Sequence, residues 1–155
     1  MAYIERAATI GCIFCEKQRE PDGENNLVLA RGAAAFVILN AFPYNPGHLM
    51  VSPYRHVGEF RDLTPEERLE IMDLLALSSD VVESVMRPQG ANVGVNLGRV
   101  AGAGIVGHIH MYLVPRWDGD TNFMPVIGQT KVIPEGIGAT YAKLRAAFEG
   151  MRGRA

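Results

Sequence analysis

The segment 107–117 constrains the fold of this chain most strongly, because polar and apolar side chains alternate along it. Alternation with a period of two is typical of a β-strand that buries one face. Such a strand would direct His108, His110 and Tyr112 to one face, with neighbouring side chains about 6.5–7 Å apart. Ile109 would lie on the opposite face. The segment therefore predicts a row of polar, reactive side chains on a sheet with an apolar core behind it.

Strand-like patterns elsewhere predict an antiparallel sheet. Residues 26–40 contain two short apolar runs that meet at Arg31 and Gly32, which is typical of a hairpin. Apolar segments at 48–52 and 91–96 would add two further strands. Together with the histidine-containing segment, these runs predict an antiparallel sheet of about five strands.

Two main helices are expected beside this sheet. Thr64, Pro65 and Glu67 supply a capping hydroxyl, a proline suited to the first helical position and the glutamate of a capping box. Apolar side chains then recur at helical spacing as far as Arg87. A second helix is predicted from about residue 137 to 150. Strands clustered around two helices are typical of an α+β domain with an antiparallel sheet.

The length and charge of the chain restrict its class of partner. Its 155 residues match one ordinary domain, so we expect a single domain over residues 1–155. Fifteen basic and 17 acidic residues give a formal charge of −2, which provides no general attraction to nucleic acid or to an anionic membrane. The sequence has neither an apolar run of roughly 20 residues nor a signal-like start. These features predict a cytoplasmic protein.

The only two cysteines, Cys12 and Cys15, form a C-x-x-C pair. In a cytoplasmic chain such a pair favours a metal or redox site over a structural disulfide. A redox motif of the thioredoxin type would follow a strand, and no apolar strand run precedes this pair, so zinc is favoured. Structural zinc takes four ligands. The remaining two would come from the four histidines, which are His48, His56, His108 and His110.

Several segments together resemble the histidine triad (HIT) family. Residues 108–114 resemble its signature of alternating histidines, residues 40–56 its second motif and residues 12–15 its zinc-bearing N-terminus. The resemblance covers about residues 10–117. Residues 115–125 are similar to the bacterial branch of diadenosine tetraphosphate phosphorylases and HIT hydrolases. The resemblance implies a HIT-like α+β fold.

The resemblance assigns the role of nucleophile to His110, the middle position of the signature. Members of the family attack the α-phosphorus of a nucleotide with a neutral histidine and form a nucleotidyl-histidine intermediate. A neutral imidazole suits this step because its free pKa of about 6.5 leaves a lone pair available at neutral pH. A backbone carbonyl of the same strand would hold the proton on the other ring nitrogen. The alternative is a histidine with a structural role in the sheet.

The resemblance also implies a zinc site. In zinc-bearing relatives the first histidine of the signature joins two cysteines and a histidine of the second motif, which corresponds to Cys12, Cys15, His56 and His108. This set fills all four positions of the ion, so the zinc would be structural. The alternative is that the cysteines are free buried thiols and His56 is a surface residue. His48 is expected to pack against the site or to support it from behind.

Tyr112 departs from the family pattern, because it occupies the third histidine position. In the family this residue contacts the phosphate bridge and helps the leaving group to depart. Tyrosine donates one hydrogen bond, but with a free pKa of about 10 it is a poor proton donor. The related galactose-1-phosphate uridylyltransferases also lack a histidine here, which favours transfer or phosphorolysis beside hydrolysis. Alternatively, Tyr112 fills space in a protein with weak or lost catalysis.

Further residues correspond to nucleotide-binding positions of the family. The resemblance places Ile13 and Phe14 at the base and Asn40 at the ribose hydroxyls. Phe14 is equally consistent with an ordinary core position, and Asn40 with a turn. Trp117 would close the pocket by stacking or pack at a dimer interface.

A glycine-rich loop, residues 97–104, leads into the histidine segment and allows backbone amides to approach an anion. The resemblance places Asn96 and this loop at the phosphates, with Asn96 in the catalytic set. Many relatives have a hydroxyl or amide side chain where this chain has Gly104 and Ile105. Phosphate contacts there would therefore come from backbone N–H groups.

These features predict a HIT enzyme, a homodimer by family analogy, that transfers a nucleotidyl group from a dinucleoside polyphosphate or nucleoside phosphoramidate to water, phosphate or another acceptor. A second hypothesis is a zinc-stabilised nucleotide-binding module with little or no catalysis. A third is a C-x-x-C redox protein, which would require a reversible disulfide and no stoichiometric zinc.

Overall fold

The computed structural model of the protein describes residues 11–121 and 133–152. Residues 122–125, part of the segment that resembles the bacterial branch, lie outside the described residues. The described strands and helices are β1 (Val28–Arg31), β2 (Ala35–Leu39), β3 (Leu49–Pro53), β4 (Gly90–Val95), β5 (Met111–Arg116), α1 (Ile13–Lys17), α2 (Pro65–Met86) and α3 (Ile137–Arg152). Two 3₁₀ turns cover Phe60–Asp62 and Arg99–Ala101.

Within the described residues, the strands form one antiparallel sheet in the order β1-β2-β3-β5-β4. One face is covered by α2 and α3, whose apolar side chains pack with the strands in the main core. The opposite face carries a smaller apolar cluster that includes Phe14, Phe36 and Met50. The predicted α+β fold, with five strands and two main helices, is confirmed. Among the described helices, none has the length and apolar character needed to cross a membrane.

The N-terminus of α2 has the capping box that the sequence predicts. Thr64 Oγ1 accepts a hydrogen bond from the Glu67 backbone N–H at 3.2 Å, and the Glu67 carboxylate accepts one from the Thr64 N–H at 2.9 Å. The guanidinium of Arg55 donates to the same buried carboxylate at 2.6 and 2.7 Å, which lowers the pKa of Glu67. Because Arg55 precedes His56, this pair attaches the His56 loop to the helix.

The histidine-containing strand begins later than the sequence predicts. β5 starts at Met111, so His108 and His110 lie in the segment before it. Met111 is the first residue of the segment that pairs with either neighbouring strand. β4 ends at Val95, and β3 ends at Pro53, which has no N–H to donate. The hydrogen-bonded ladder of β5 therefore begins directly after the two histidines and does not include them.

Side-chain contacts hold this segment in place where the ladder stops. The Ser52 hydroxyl donates a hydrogen bond to the Ile109 carbonyl at 3.0 Å. Ile109 packs in the main core, whereas Tyr112 packs with the smaller cluster on the opposite face. The ring of His110 also lies on that face, against Phe14. The predicted alternation of side chains is therefore present, although the first part of the segment is not a strand.

Candidate active site and metal site

The ring of His110 is held in one tautomer by its own segment. The residue is 6% exposed, and its Nδ1 lies 2.8 Å from the backbone carbonyl of His108. A carbonyl oxygen only accepts hydrogen bonds, so Nδ1 carries the proton and donates it. Nε2 of the neutral ring therefore has a lone pair, and it accepts a hydrogen bond from the Tyr112 hydroxyl at 3.0 Å.

Burial lowers the pKa of His110 below its ordinary value of 6.5, and the hydrogen bond to the His108 carbonyl offsets part of that shift. The ring is therefore neutral at neutral pH, which is the nucleophilic form of imidazole. The hydroxyl of Tyr112 occupies the lone pair that an attack would use. Any electrophile that reacts with Nε2 would therefore have to displace the Tyr112 hydroxyl.

Phe14 forms one wall of this site. It belongs to α1, the short helix that begins directly after Cys12 and contains Cys15. The residue is 1% exposed, and its ring centroid lies 4.7 Å from that of His110 and 5.2 Å from that of His108. The position of α1 therefore determines what packs against the ring of His110.

Two cysteines and two histidines converge beside this wall. Nδ1 of His108 lies 3.2 Å from Cys12 Sγ and 3.5 Å from Cys15 Sγ, and Nδ1 of His56 lies 3.4 Å from Cys15 Sγ. All four potential ligand atoms lie within 4.8 Å of one another. Two sulfur and two nitrogen ligands at these separations suit a tetrahedral zinc ion. The structure thus brings together the four residues that the resemblance implies.

The surroundings of His108 hold its ring in the neutral tautomer that can bind a metal through Nδ1. Nε2 lies 2.9 Å from the Pro53 carbonyl and donates to it, so the lone pair of Nδ1 faces the cysteines. Burial is the main cause that lowers the pKa of His108 to about 4, which keeps the ring neutral. In metal-binding histidines the ring nitrogen that does not bind the metal usually donates a hydrogen bond to a group such as a carbonyl, which fixes the tautomer and the orientation of the ring.

A cavity of about 310 Å³ opens over the row of His110 and Tyr112. It contains six of the residues expected at a nucleotide site, which are Phe14, Asn40, Gly104, Ile105, His110 and Tyr112. Phe42, Tyr44, Met50 and Gly102 complete its lining. The cavity therefore brings together the residues expected to act as nucleophile and to bind the base and the ribose, together with the glycine-rich loop.

Asn40 lies at the edge of the cavity, but its amide group already has partners. Its Oδ1 accepts a hydrogen bond from the Phe42 N–H at 3.0 Å, and its Nδ2 lies 3.3 Å from Nδ1 of His48. An amide oxygen has two lone pairs and the NH₂ group has two hydrogens. The amide oxygen, which has one partner, can therefore accept one further hydrogen bond from a ligand.

Three of the expected site residues lie in the described part of the chain but do not line this cavity. Ile13 packs beside the smaller apolar cluster. Asn96 lies next to Gly102, which does line the cavity, and a Cβ atom at Gly102 would be 3.1 Å from its Nδ2. The backbone N–H of Trp117 donates to Asp120 at 3.2 Å, in the turn after β5. These positions depend on loop geometry that residue spacing does not reveal.

Sequence reasoning did not single out Phe42, Tyr44 and Met50, which also line the cavity. His48, expected to support the site from behind, is fully buried and accepts a hydrogen bond from the Tyr44 N–H at its Nδ1. Its ring centroid lies 4.8 Å from that of Tyr44 and 5.4 Å from that of Tyr112. The sequence signal for this arrangement is a pair of aromatic residues in the proline-containing turn before His48.

A family model described as the HIT domain matches residues 24–119, which is more than half of the chain. The chain belongs to the HIT family. The matched range contains His110, Tyr112 and two of the four residues of the metal cluster, whereas Cys12 and Cys15 precede it. The identification made from the sequence is confirmed.

Several relatives of this HIT protein carry names that describe an activity. An AP-4-A phosphorylase from Mycobacterium tuberculosis is 51% identical over 112 residues, which are 72% of this chain and 57% of the relative. An asymmetrical bis(5'-nucleosyl)-tetraphosphatase from Schizosaccharomyces pombe is 34% identical over 100 residues, which are 64% of this chain and 53% of the relative. The chain therefore spans just over half the length of these relatives.

Solved structures of HIT proteins share the fold. A zinc-bound histidine triad family protein from Mycobacterium smegmatis superimposes with a TM-score of 0.73 at 22% identity, over 94% of this chain and 98% of that chain. A histidine triad nucleotide-binding protein from Sulfolobus tokodaii gives a TM-score of 0.72 at 23% identity, over 91% and 94% of the two chains. At these identities the likeness establishes the fold.

Proposed function

We propose that this HIT protein transfers a nucleotidyl group from a dinucleoside polyphosphate through His110. The observation that carries the proposal is the hydrogen bond from Nδ1 to the His108 carbonyl, which leaves the Nε2 lone pair facing the cavity. Nε2 forms a bond to the α-phosphorus as the bond from that phosphorus to the bridging oxygen breaks. The leaving nucleotide takes the electron pair of that bond as a terminal phosphate, which takes up a proton from water. Water or phosphate then attacks the phosphoramidate and releases His110.

The names of the relatives support a dinucleoside tetraphosphate as substrate. The M. tuberculosis relative is called a phosphorylase and the S. pombe relative a tetraphosphatase, so the acceptor would be phosphate in one case and water in the other. The higher identity to the phosphorylase favours phosphate as acceptor in this protein. Phosphorolysis of diadenosine tetraphosphate would then give ADP and ATP.

The first test mixes purified protein with diadenosine tetraphosphate, with and without inorganic phosphate, and separates the products by chromatography. We expect ADP and ATP that depend on phosphate. AMP and ATP without phosphate would identify a hydrolase instead. No turnover and no nucleotidyl adduct by intact mass would contradict the proposed transfer and favour a nucleotide-binding module.

We propose that Tyr112 orients a phosphate oxygen after it has released Nε2. Replacing Tyr112 with phenylalanine should lower kcat/KM for diadenosine tetraphosphate about tenfold, because one hydrogen bond to a charged group is lost. Tyr112→His should raise the hydrolytic share of the products, since imidazolium is the better proton donor. Tyr54→Phe is the matched control, because its hydroxyl donates to the Gly32 carbonyl and it does not line the cavity. Unchanged kinetics in Tyr112→Phe would show that the ring only fills space.

We propose that the four converging residues bind Zn²⁺ as a structural ion. Support comes from the Cys₂His₂ set itself and from the zinc-bound M. smegmatis protein of the same fold. Zinc bound there would join α1 to the His56 loop and to the segment before β5. The four residues would fill every coordination position of the ion, so the substrate would not bind to it. The nucleotidyl transfer would then depend on the side chains of this protein alone.

We also propose a homodimer that forms along β4. This strand lies at the edge of the sheet, and its Val93 is 55% exposed. Leu97, just beyond the strand, is 44% exposed. An open edge with apolar side chains is typical of a surface that another strand covers.

Light scattering after gel filtration tests this interface. We expect the mass of two chains for the wild type and of one chain for Val93→Lys, because a charge on the edge opposes strand pairing. Leu69→Lys is the control, since Leu69 is 65% exposed on α2 and away from the edge strand. A wild-type protein with the mass of one chain would contradict the proposal.

A further inference from the structure

The loop between β2 and β3 exposes two aromatic side chains at the catalytic cavity. Phe42 is 56% exposed and Tyr44 is 58% exposed, and both line the cavity that contains His110. Single exposed apolar side chains are ordinary, but two large rings on one loop at a reactive site form an apolar patch that a ligand can cover. We call Phe42 and Tyr44 the aromatic shelf.

The loop that carries the aromatic shelf is held in place by hydrogen bonds. The Phe42 N–H donates to Asn40 Oδ1 at 3.0 Å, and the Tyr44 N–H donates to His48 Nδ1 at 3.1 Å. Nδ2 of Asn45 donates to the Pro115 carbonyl at 2.9 Å, which ties the loop to β5. A surface that is already ordered loses little conformational entropy when a ligand binds.

Tyr44 connects the aromatic shelf to the third position of the signature, which the family resemblance places at the leaving group. The ring of His48 contacts both Tyr44 and Tyr112, so the shelf is close to the third position of the signature. Phe14 instead contacts His110 and His108, next to the metal cluster. The lining of the cavity thus has aromatic side chains from two parts of the chain, Phe14 against His110 and the aromatic shelf on the loop between β2 and β3.

We propose that the aromatic shelf binds the base of the departing nucleotide by stacking, so that the protein prefers substrates with a nucleoside at both ends of the phosphate chain. This inference rests on the proposed transfer through His110. Stacking on aromatic rings tolerates any base, because every base has a π-face. The shelf therefore selects for the presence of a second nucleoside and not for its identity.

The test compares diadenosine tetraphosphate with adenosine 5'-tetraphosphate, which has the same transferred group and four phosphates but no second nucleoside. Phe42→Ala and Tyr44→Ala should each lower kcat/KM for the dinucleotide about tenfold, equivalent to about 1.4 kcal/mol. The same substitutions should change kcat/KM for the mononucleotide less than about twofold. Tyr44→Phe should retain the preference, since it keeps the ring. Leu69→Ala, an exposed apolar position on α2, is the control.

Binding measurements separate this inference from the proposed function. Dissociation constants of both nucleotides are measured by calorimetry in the His110→Ala background, with and without Phe42→Ala. The shelf is supported if the dinucleotide has the lower dissociation constant in His110→Ala and Phe42→Ala removes that difference between the two nucleotides. This result would stand even if the wild type converts neither nucleotide and the proposed transfer is wrong. Equal losses for both nucleotides, or an unchanged ratio, would overturn the shelf. A change in the mass of the protein in solution with Phe42→Ala and an unchanged ratio would assign the two rings to a contact between copies of the chain.

Discussion

Replacing His110 with alanine should reduce nucleotidyl transfer by at least about 10⁴-fold, because loss of a covalent nucleophile leaves only binding and electrostatic contributions to the rate. The ring is buried against Phe14, and its Nδ1 donates to a backbone carbonyl. These contacts orient the ring without making it part of the main apolar core. The substitution should therefore remove activity and leave the secondary structure unchanged by circular dichroism.

The adduct provides a second readout of the same variant. Wild-type protein that is mixed briefly with diadenosine tetraphosphate and quenched at neutral or alkaline pH should carry one nucleotidyl group by intact mass. His110→Ala should carry none. An adduct of undiminished yield in His110→Ala would place the nucleophile elsewhere, and full activity without any adduct would indicate direct attack by water or phosphate.

His108 links His110, the proposed nucleophile, to the metal cluster through two different groups. Its backbone carbonyl accepts a hydrogen bond from Nδ1–H of His110, and its own Nδ1 faces Cys12 and Cys15. α1 makes a second link, because it carries Phe14 between the two cysteines. The metal cluster and the reactive ring therefore share a backbone segment and a wall.

The sequence predicts this site where local spacing determines which residues meet. Histidines two residues apart lie on one face, and a C-x-x-C pair brings two sulfur atoms to one ion. Helix α2 begins as predicted because Thr64 and Glu67 form a capping box that depends only on a three-residue spacing. These features are local, so they can be read from the chain without its fold.

Other features depend on contacts between distant segments. The start of β5 at Met111 is set by the ends of two neighbouring strands, one of which is Pro53. The exposure of Phe42 and Tyr44 depends on hydrogen bonds that hold the loop, and their spacing alone resembles an ordinary turn. The contact of Asn96 with Gly102 follows from the path of the glycine-rich loop. Spacing in the sequence carries no signal for such tertiary positions.

Removing zinc should destabilise the protein by at least about 3 kcal/mol and lower its Tm by about 10 °C, because the metal is expected to join three separate segments. Metal analysis of protein purified without chelator should give one zinc ion per chain. Cys12→Ser, Cys15→Ser and His108→Ala should each lose the ion and show the lowered Tm. Zinc-free protein with a reversible disulfide between Cys12 and Cys15 would contradict the site and favour a redox function.

His108→Ala also distinguishes two ways in which zinc loss would affect the reaction. The variant keeps the backbone carbonyl that accepts from His110 Nδ1, so the tautomer of the nucleophile is preserved while the ligand is lost. We therefore expect it to lose activity to the same extent as Cys12→Ser, because both release α1 and move Phe14 away from the ring of His110. Activity is measured below the lowered Tm of each variant, so that unfolding does not contribute. Full activity in both variants would show that the metal cluster stabilises the fold without shaping the reactive site.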